Sequence, residues 1–231
     1  MQVAILCADA GLLFLMAPRT GCTAIAEGVL IPELDGSYLP DADVISPRGV
    51  LEVSRKHSTL HQLLSNGVLD ENVARRLLKF TTVRNPFDSL YSLYVKQSSS
   101  YQRYMENDES FLQHSPSQAE QIRRARDLSF DEWLVRKVRR RKRLRDRLRG
   151  QRQLELYRPY TEGADVILRF ESLQADFDAL LDRRDLPPMR IPHINRTIEK
   201  ERSYREVYSE AGRRIVERHY VRYMQRFAYE F

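Results

Sequence analysis

Several features that mark other protein classes are missing from this chain of 231 residues. It has only two cysteines, Cys7 and Cys22, and contains neither a CxxC nor an HExxH sequence. We therefore expect no structural disulfide, a reducing compartment and no metal site. The apolar run from Leu12 to Ala17 is too short to cross a membrane, and no basic segment precedes it. The sequence thus predicts a cytoplasmic protein without a signal peptide or a membrane span.

The common nucleotide-binding loop is missing too, since no stretch supplies the Walker A sequence G-x-x-x-x-G-K-[ST]. We find no internal repeat, and no low-complexity tract apart from one basic segment. A hydrophobic content of 42% in a chain of this length suffices for one substantial core, so we predict a single domain over residues 1–231. The net charge of +6 favours anionic ligands, whether phosphorylated molecules or polyanions.

The first informative stretch is the apolar run Leu12 to Ala17, which is typical of a buried strand of a parallel sheet and is predicted to be the first strand of the chain. It ends at the turn Pro18-Arg19-Thr20-Gly21, after which Cys22 to Leu30 can form a helix. The first N–H groups of a helix have no internal partner, and the helix dipole favours negative charge there. We interpret this strand, cationic turn and helix as a cradle for the phosphate of a nucleotide-like donor.

A second strand, turn and helix follows about 65 residues later. Lys79 to Arg84 is β-branched and aromatic, as strands are, and Asn85 and Pro86 are a good N-cap and first residue for a helix. In open α/β sheets, ligands bind at the carboxyl ends of the strands. Because Arg19 and Arg84 both follow strands, we expect both cations at that edge.

Polar side chains also predict the starts of three further helices. Ser58 or Thr59 can cap a short helix that ends at Gly67, and Asp70 can cap the next one. Ser129 can cap the helix that begins at Phe130.

The remaining pattern indicates an α/β domain with a mainly parallel sheet flanked by helices. Asp165 to Phe170 is a third strand candidate, and residues 31–50 look irregular. The last helix, 210–227, places apolar side chains every four residues and is predicted to pack on the sheet. The members of that stripe are Ala211, Ile215, His219 or Tyr220, Tyr223 and Phe227.

Two segments invite functional interpretation without deciding it. Leu186 to Thr197 contains three prolines and is typical of a lid or binding loop. A basic helical insertion at about 129–152 includes Arg136 to Arg152, with eleven Lys or Arg and one acidic residue. That run is either a solvated helical face or a docking surface for an acidic polymer.

Four stretches resemble sulfotransferases that use PAPS (3′-phosphoadenosine 5′-phosphosulfate). Ala17 to Thr23 resembles their 5′-phosphosulfate loop, and Phe80 to Tyr94 resembles their 3′-phosphate element, an Arg-x-Pro turn with Ser eight residues after the Arg. Ile167 to Leu173, followed by Asp176-Phe177, is similar to the R-F-E-x-L-x-x-D-F signature of the carbohydrate (heparan and chondroitin type) branch. Pro192 to Thr197 and the Tyr-rich last helix resemble that branch's C-terminal end, so the resemblance spans nearly the whole chain and is weakest over 95–160.

The resemblance implies a P-loop-like sulfotransferase fold, PAPS as donor, PAP (the desulfated product) as product, and no metal. By this resemblance, the turn would bind the 5′-phosphate. Arg84 and Ser92 would bind the 3′-phosphate, and Arg196 would close over the cofactor from the late loop. Arg19 stands where the commonest pattern has Lys; it stays charged and is therefore a poor proton donor. The implied cofactor-binding residues are Pro18, Arg19, Thr20, Gly21, Cys22, Thr23, Arg84, Ser92 and Arg196.

A hydroxyl acceptor also needs a base that titrates near the working pH, which favours His. His57, in the stretch Arg55-Lys-His-Ser-Thr59, resembles the K-H-x-T sequence that precedes the 3′-phosphate strand in related chains. We predict His57 as the base and Lys56 as its assistant on the sulfuryl oxygens, with His61 and Glu52 next. The alternative is a surface His at a helix start. The resemblance suggests a carbohydrate acceptor, such as an anionic glycan, although a small alcohol or phenol is compatible.

Two competing functions remain at this point. A small-molecule kinase of similar topology is disfavoured by the missing Walker A residues and by the lack of a clear magnesium-binding Asp after a strand. A non-catalytic polyanion or RNA-binding protein would use Arg136 to Arg152, but no nucleic-acid motif accompanies that segment, and both anion turns would be unexplained. We therefore expect no nucleic-acid partner.

Overall fold

The computed structural model describes residues 4–49, 51–53, 58–105, 116–140, 154–194 and 202–231. The chain divides into two compact units, each built from two segments. The first, here called the sheet unit, comprises Met1–Arg84 and Tyr157–Arg196. The second, the helical unit, comprises Asn85–Leu156 and Thr197–Phe231. The prediction of a single domain over 1–231 stays a prediction.

The strands, in chain order, are β1 Ala4–Cys7, β2 Leu12–Leu15, β3 Ser37–Leu39, β4 Val44–Ile45, β5 Leu51–Val53, β6 Leu78–Val83 and β7 Val166–Arg169. The α-helices are α1 Cys22–Ile25, α2 Ile31–Glu33, α3 Leu60–Ser65, α4 Glu71–Arg76, α5 Pro86–Ser98, α6 Pro116–Asp127, α7 Phe130–Arg140, α8 Arg158–Thr161, α9 Leu173–Asp182, α10 Tyr204–Val207 and α11 Glu210–Phe227. A π-helix, Ala26–Leu30, joins α1 to α2, and 3₁₀ turns lie at Gln102–Met105 and Phe170–Ser172.

The main sheet of the sheet unit has the order β3-β1-β2-β6-β7. β2, β6 and β7 are parallel neighbours, whereas β1 pairs antiparallel with both β2 and β3. Four of the five strands therefore share one direction, which confirms the predicted mainly parallel sheet. A second, two-stranded sheet pairs β4 with β5.

The apolar run that predicted β2 is explained by burial on both faces of the sheet. Phe14 lies in one hydrophobic core, where its ring stacks on that of Phe80 with centroids 4.6 Å apart. Leu13 and Leu15 lie in a second core. Because successive side chains of a strand point to opposite faces, a strand covered on both sides must be apolar at every position.

The short helices begin where their capping residues predict. Thr59 and Gln62 form a capping box at the start of α3, and the Asp70 carboxylate accepts from the N–H groups of Asn72 and Val73 at the start of α4. In the helical unit, the Asn85 side chain accepts from the Phe87 N–H, with Pro86 at the first helical position. These predictions are confirmed.

The helical unit is held in part by aromatic packing among α5, α7 and Tyr208, the residue that follows α10. The Phe130 and Tyr208 rings meet edge to face with centroids 4.7 Å apart, and Phe87 meets Tyr208 similarly at 5.3 Å. Trp133 donates its indole N–H to Gln97 Oε1 at 3.0 Å, and both side chains are buried. The predicted cap of α7 is also confirmed, since Glu132 N–H bonds to Ser129 Oγ. The basic insertion is described only as far as Arg140.

Three expectations about elements were wrong. The sheet begins at β1, so Leu12 to Ala17 is not its first strand. Residues 31–50, expected to be irregular, contain β3 and β4. Such short strands show little periodicity of their own and form because neighbouring strands offer backbone partners.

The third error concerns the last helix. The buried residues of α11 are Gly212, Val216, Tyr220 and Tyr223, so the predicted stripe was right at Tyr220 and Tyr223 and one position off at Ala211 and Ile215. The helix packs against α7 and α5 of its own unit, and its packing on the sheet stays a prediction. A Cβ at Gly212 would lie 3.4 Å from Leu134 Cδ2, so the missing side chain permits the close approach that selects this face. Within the described residues, no helix is both long and apolar enough to span a membrane.

Candidate anion-binding site

The turn after β2 is built on two left-handed residues. Arg19 has φ of 70° and Gly21 has φ of 76°. Gly21 is also the N-cap of α1, and a Cβ there would lie 3.1 Å from Leu173 Cδ2 and 3.2 Å from carbons of the Phe170 ring. Glycine is therefore required at this position for two reasons, its backbone conformation and its close neighbours. A left-handed arginine is uncommon, and such conformations concentrate at functional sites.

Three threonine hydroxyls tie β2 and the turn after it to the neighbouring strand, β6. Thr20, which is fully buried, donates to the Ala17 carbonyl at 2.7 Å and forms a short hydrogen bond with the Thr82 hydroxyl of β6. Next to it, the Thr81 hydroxyl donates to the Leu15 carbonyl at 2.7 Å. The turn is thus fixed at the carboxyl ends of β2 and β6, where ligands of parallel sheets bind.

Arg84 brings the cation of the second turn to the first. Its side chain is 9% exposed, and Nη1 donates to the Arg19 carbonyl at 3.0 Å. The guanidinium carbon lies 4.1 Å above the centre of the Phe170 ring, within range of a cation–π interaction. The backbone of Arg19, the Arg84 guanidinium and the start of α1 therefore meet at one corner of the sheet unit, here called the anion corner.

The segment after β7 forms the floor of this corner. Asp176 of α9 accepts from the Arg169 N–H at 2.7 Å and from the Ser172 hydroxyl at 3.0 Å. These two bonds fix the 3₁₀ turn that carries Phe170. The R-F-E-x-L-x-x-D-F signature therefore has a structural basis, because its aspartate holds the turn that presents its phenylalanine and Leu173 to Gly21.

The described part of the late Pro-rich loop packs against the helix that follows the turn. Gln174 donates to the Met189 carbonyl at 3.0 Å and accepts from the Ile191 N–H at 2.9 Å. A Cβ at Gly28 would meet the Pro192 ring, with Cδ 2.8 Å away. These contacts hold the loop against α9 and the π-helix of the sheet unit, and its role as a binding loop stays a prediction.

Tyr160 and the two cysteines also belong to the sheet unit. Burial raises the pKa of Tyr160 above its ordinary value, with smaller contributions from Cys22 and Tyr157. The phenol is therefore protonated at neutral pH and cannot act as a base. Cys7 and Cys22 are buried thiols rather than disulfide partners. Burial, aided by Asp35, raises the pKa of Cys7 to about 11.

The structure brings part of the predicted site together. The turn residues and Arg84 converge in the sheet unit, and Ser92 is fully buried on α5 of the helical unit. His57, Lys56 and Arg196 lie outside the described residues. The alternative bases Glu52 and His61 are exposed, on β5 and α3.

The residues that sequence reasoning missed are the supports of the site: Thr82, Phe170 and Asp176. Phe170 and Asp176 belong to the R-F-E-x-L-x-x-D-F signature, which could have marked them as site residues. Their contacts could not be read from the sequence. Within the ranges that the structure describes, no group of three or more His, Cys, Asp or Glu side chains could hold a metal ion.

The chain was compared with known proteins. A family model described as the sulfotransferase family matches residues 4–231. Searches of curated proteins and of solved structures gave no significant match. The family match covers nearly the whole chain, including both cationic turns and the floor beneath them. The chain therefore belongs to the sulfotransferase family, and its mainly parallel sheet flanked by helices is the sulfotransferase fold.

Proposed function

We propose that this chain transfers the sulfuryl group of PAPS to a hydroxyl group of a carbohydrate and releases PAP. The observation that carries the proposal is the hydrogen bond from Arg84 Nη1 to the Arg19 carbonyl at 3.0 Å. It joins the two cationic turns, and a donor with phosphates at both the 5′ and 3′ positions needs two such groups within one ligand's length. Family membership supports sulfuryl transfer in general.

The proposed role of Arg19 and the N–H groups of residues 20–23 is to hold the 5′-phosphate. PAPS supplies a sulfuryl group on a phosphate leaving group, and in the transfer the bond from sulfur to the bridging oxygen breaks as the bond to the acceptor oxygen forms. Negative charge then grows on the leaving phosphate. Arg19 stabilises that charge by position alone, because a guanidinium does not give up its proton at neutral pH. Thr23 adds a hydroxyl contact.

In this proposal Arg84 and Ser92 bind the 3′-phosphate, and Arg196 is a further ligand. Arg84 is suited to the role because its planar guanidinium can donate to two phosphate oxygens at once. One of its nitrogens donates to the Arg19 carbonyl, which holds the guanidinium beside the 5′-phosphate turn. The roles of Ser92 and Arg196 rest on the sequence motifs.

His57 is the proposed base that takes the acceptor proton, and Lys56 the proposed contact for the sulfuryl oxygens. Both assignments rest on the K-H-x-T stretch. The proposal predicts that His57→Ala keeps its affinity for PAP and loses transfer, because the base touches the acceptor rather than the nucleotide. Equal turnover by variant and parent would remove His57 from the mechanism.

Calorimetry on the full chain with PAP, ATP and heparin tests the donor. We expect micromolar PAP binding that Arg84→Ala weakens at least tenfold, since a charge-assisted hydrogen bond contributes ~1.5–3 kcal/mol. Arg84→Lys keeps the charge but not the fork, so it should fall in between. Arg75→Ala is the matched control, because Arg75 is an exposed arginine of the same unit that pairs with Glu71. ATP binding without PAP binding would overturn the proposal, as would heparin binding alone.

A further inference from the structure

We infer that Phe170 is a positioning residue that couples the 5′-phosphate turn to Arg84, so that ligand binding at either one depends on its ring. This inference rests on the proposed function, because it takes the turn and Arg84 as ligands of the two phosphates. Phe170 itself touches neither phosphate in this scheme. It acts through the groups that it supports.

Phe170 contacts both partners at once. The face of its ring lies under the Arg84 guanidinium, with 4.1 Å from the guanidinium carbon to the ring centre. Carbons on one edge of the same ring lie 3.2 Å from the position that a Cβ would take at Gly21. The ring therefore limits where the guanidinium and the N-cap of α1 can go. Since Arg84 is nearly buried, the cation–π interaction is less weakened by water than at a surface.

The link continues through the backbone of the turn. Arg84 donates to the Arg19 carbonyl, and Arg19 is the residue held in the left-handed conformation. If the guanidinium moves off the ring, the turn loses a donor that stabilises its strained residue. A ligand that carries only a 5′-phosphate should therefore be affected by Phe170, even though it has no group for Arg84 to bind.

Phe170 is itself fixed from the side away from the ligand groups. It follows β7 directly, and Asp176 holds the flanking backbone through the Arg169 N–H and the Ser172 hydroxyl. The position of the ring is thus set by β7 and α9. The ring in turn supports Arg84 and the turn after β2. A side chain whose own position is held by packing and hydrogen bonds can keep the groups of a binding site in place.

The test is calorimetry on the full chain with PAP and with adenosine 5′-phosphate, which lacks the 3′-phosphate. Phe170→Leu keeps an apolar side chain of similar size and removes the ring. We expect it to weaken both ligands by about tenfold, equivalent to ~1.4 kcal/mol. Phe170→Tyr, which retains the ring on a half-buried residue, should bind both ligands nearly as the parent does. A fluorinated phenylalanine at this position keeps the shape and weakens the ring's negative face, so it should resemble Leu.

Phe177→Leu is the control, because Phe177 is a fully buried phenylalanine of α9 that packs in the hydrophobic core. It should lower Tm without changing either affinity. Binding of PAP by Phe170→Leu at the parent's affinity would overturn the inference while leaving the proposed function intact. Weakening of PAP alone would overturn the coupling, and equal binding by the fluorinated and natural chains would overturn the cation–π account. Failure of the parent to bind PAP, by contrast, would overturn the proposed function itself.

Discussion

Replacement of Gly21 by alanine tests whether the turn after β2 is as constrained as the structure indicates. Gly21 and Gly67 both have left-handed backbones, with φ of 76° and 66°. An added Cβ at Gly67 meets nothing within 4 Å, whereas at Gly21 it meets Leu173 at 3.1 Å and Phe170 at 3.2 Å. Gly67→Ala is therefore a matched control that carries the backbone cost alone.

The magnitudes follow from these two terms. A non-glycine residue in the left-handed region costs ~1–2 kcal/mol, and we expect Gly67→Ala to lose about that much stability. Overpacking a close contact adds ~1–3 kcal/mol, so Gly21→Ala should lose ~2–5 kcal/mol, a large share of the ~5–15 kcal/mol that stabilises a typical domain. Only Gly21→Ala should also weaken PAP, because its Cβ pushes on the floor of the anion corner.

The assay is urea unfolding followed by far-UV circular dichroism, with PAP calorimetry at a temperature where each variant is folded. The single tryptophan, Trp133, lies in the helical unit, so its fluorescence reports that unit separately from the substituted one. Equal destabilisation of the two variants would show that Phe170 and Leu173 do not confine Gly21. Unchanged PAP affinity in Gly21→Ala would show that the turn is not the phosphate site.

Three further predictions follow from single contacts. Gly28→Ala should destabilise the protein by ~1–3 kcal/mol in urea unfolding, even though alanine favours helices, because the added Cβ would meet the Pro192 ring. Adding Pro192→Ala to this variant should restore the lost stability, and a Gly28→Ala variant more stable than the parent would contradict this account. The pKa of Cys7 is about 11 in the folded state against 9.0 ordinarily, so its ionisation favours the unfolded state once the pH exceeds 9. Between pH 9 and 11 the free energy of unfolding should therefore fall by ~2 kcal/mol more in the parent than in Cys7→Ala, and parallel pH profiles would refute this. Trp133→Phe and Gln97→Leu should show a coupling of ~1 kcal/mol in a double-mutant cycle monitored by circular dichroism, because each removes the same buried hydrogen bond, and additive losses would show that the bond adds nothing.

Much of the fold was predictable because its signals are local. The caps of α3, α4 and α5 were correct at Thr59, Asp70 and Asn85, since a capping side chain bonds to backbone groups only two or three residues away. The continuous apolar run predicted a strand buried on both faces, and β2 is one. The first half of the buried stripe of α11 was predicted one residue out of register, at Ala211 and Ile215, because two neighbouring stripes of that helix carry apolar side chains and only the packing at Gly212 chooses between them.

By itself, the sequence determined two cationic turns, each following a buried strand and preceding a helix, and a family resemblance that the match over residues 4–231 confirmed. Only the tertiary structure decided that Arg84 bonds to the backbone of Arg19 and lies on Phe170. The physical reason is distance along the chain: these three residues come from β2, β6 and β7 segments that the parallel pairing of the sheet brings side by side. Local propensity fixes where a turn occurs, whereas the sheet's strand order fixes which turns meet.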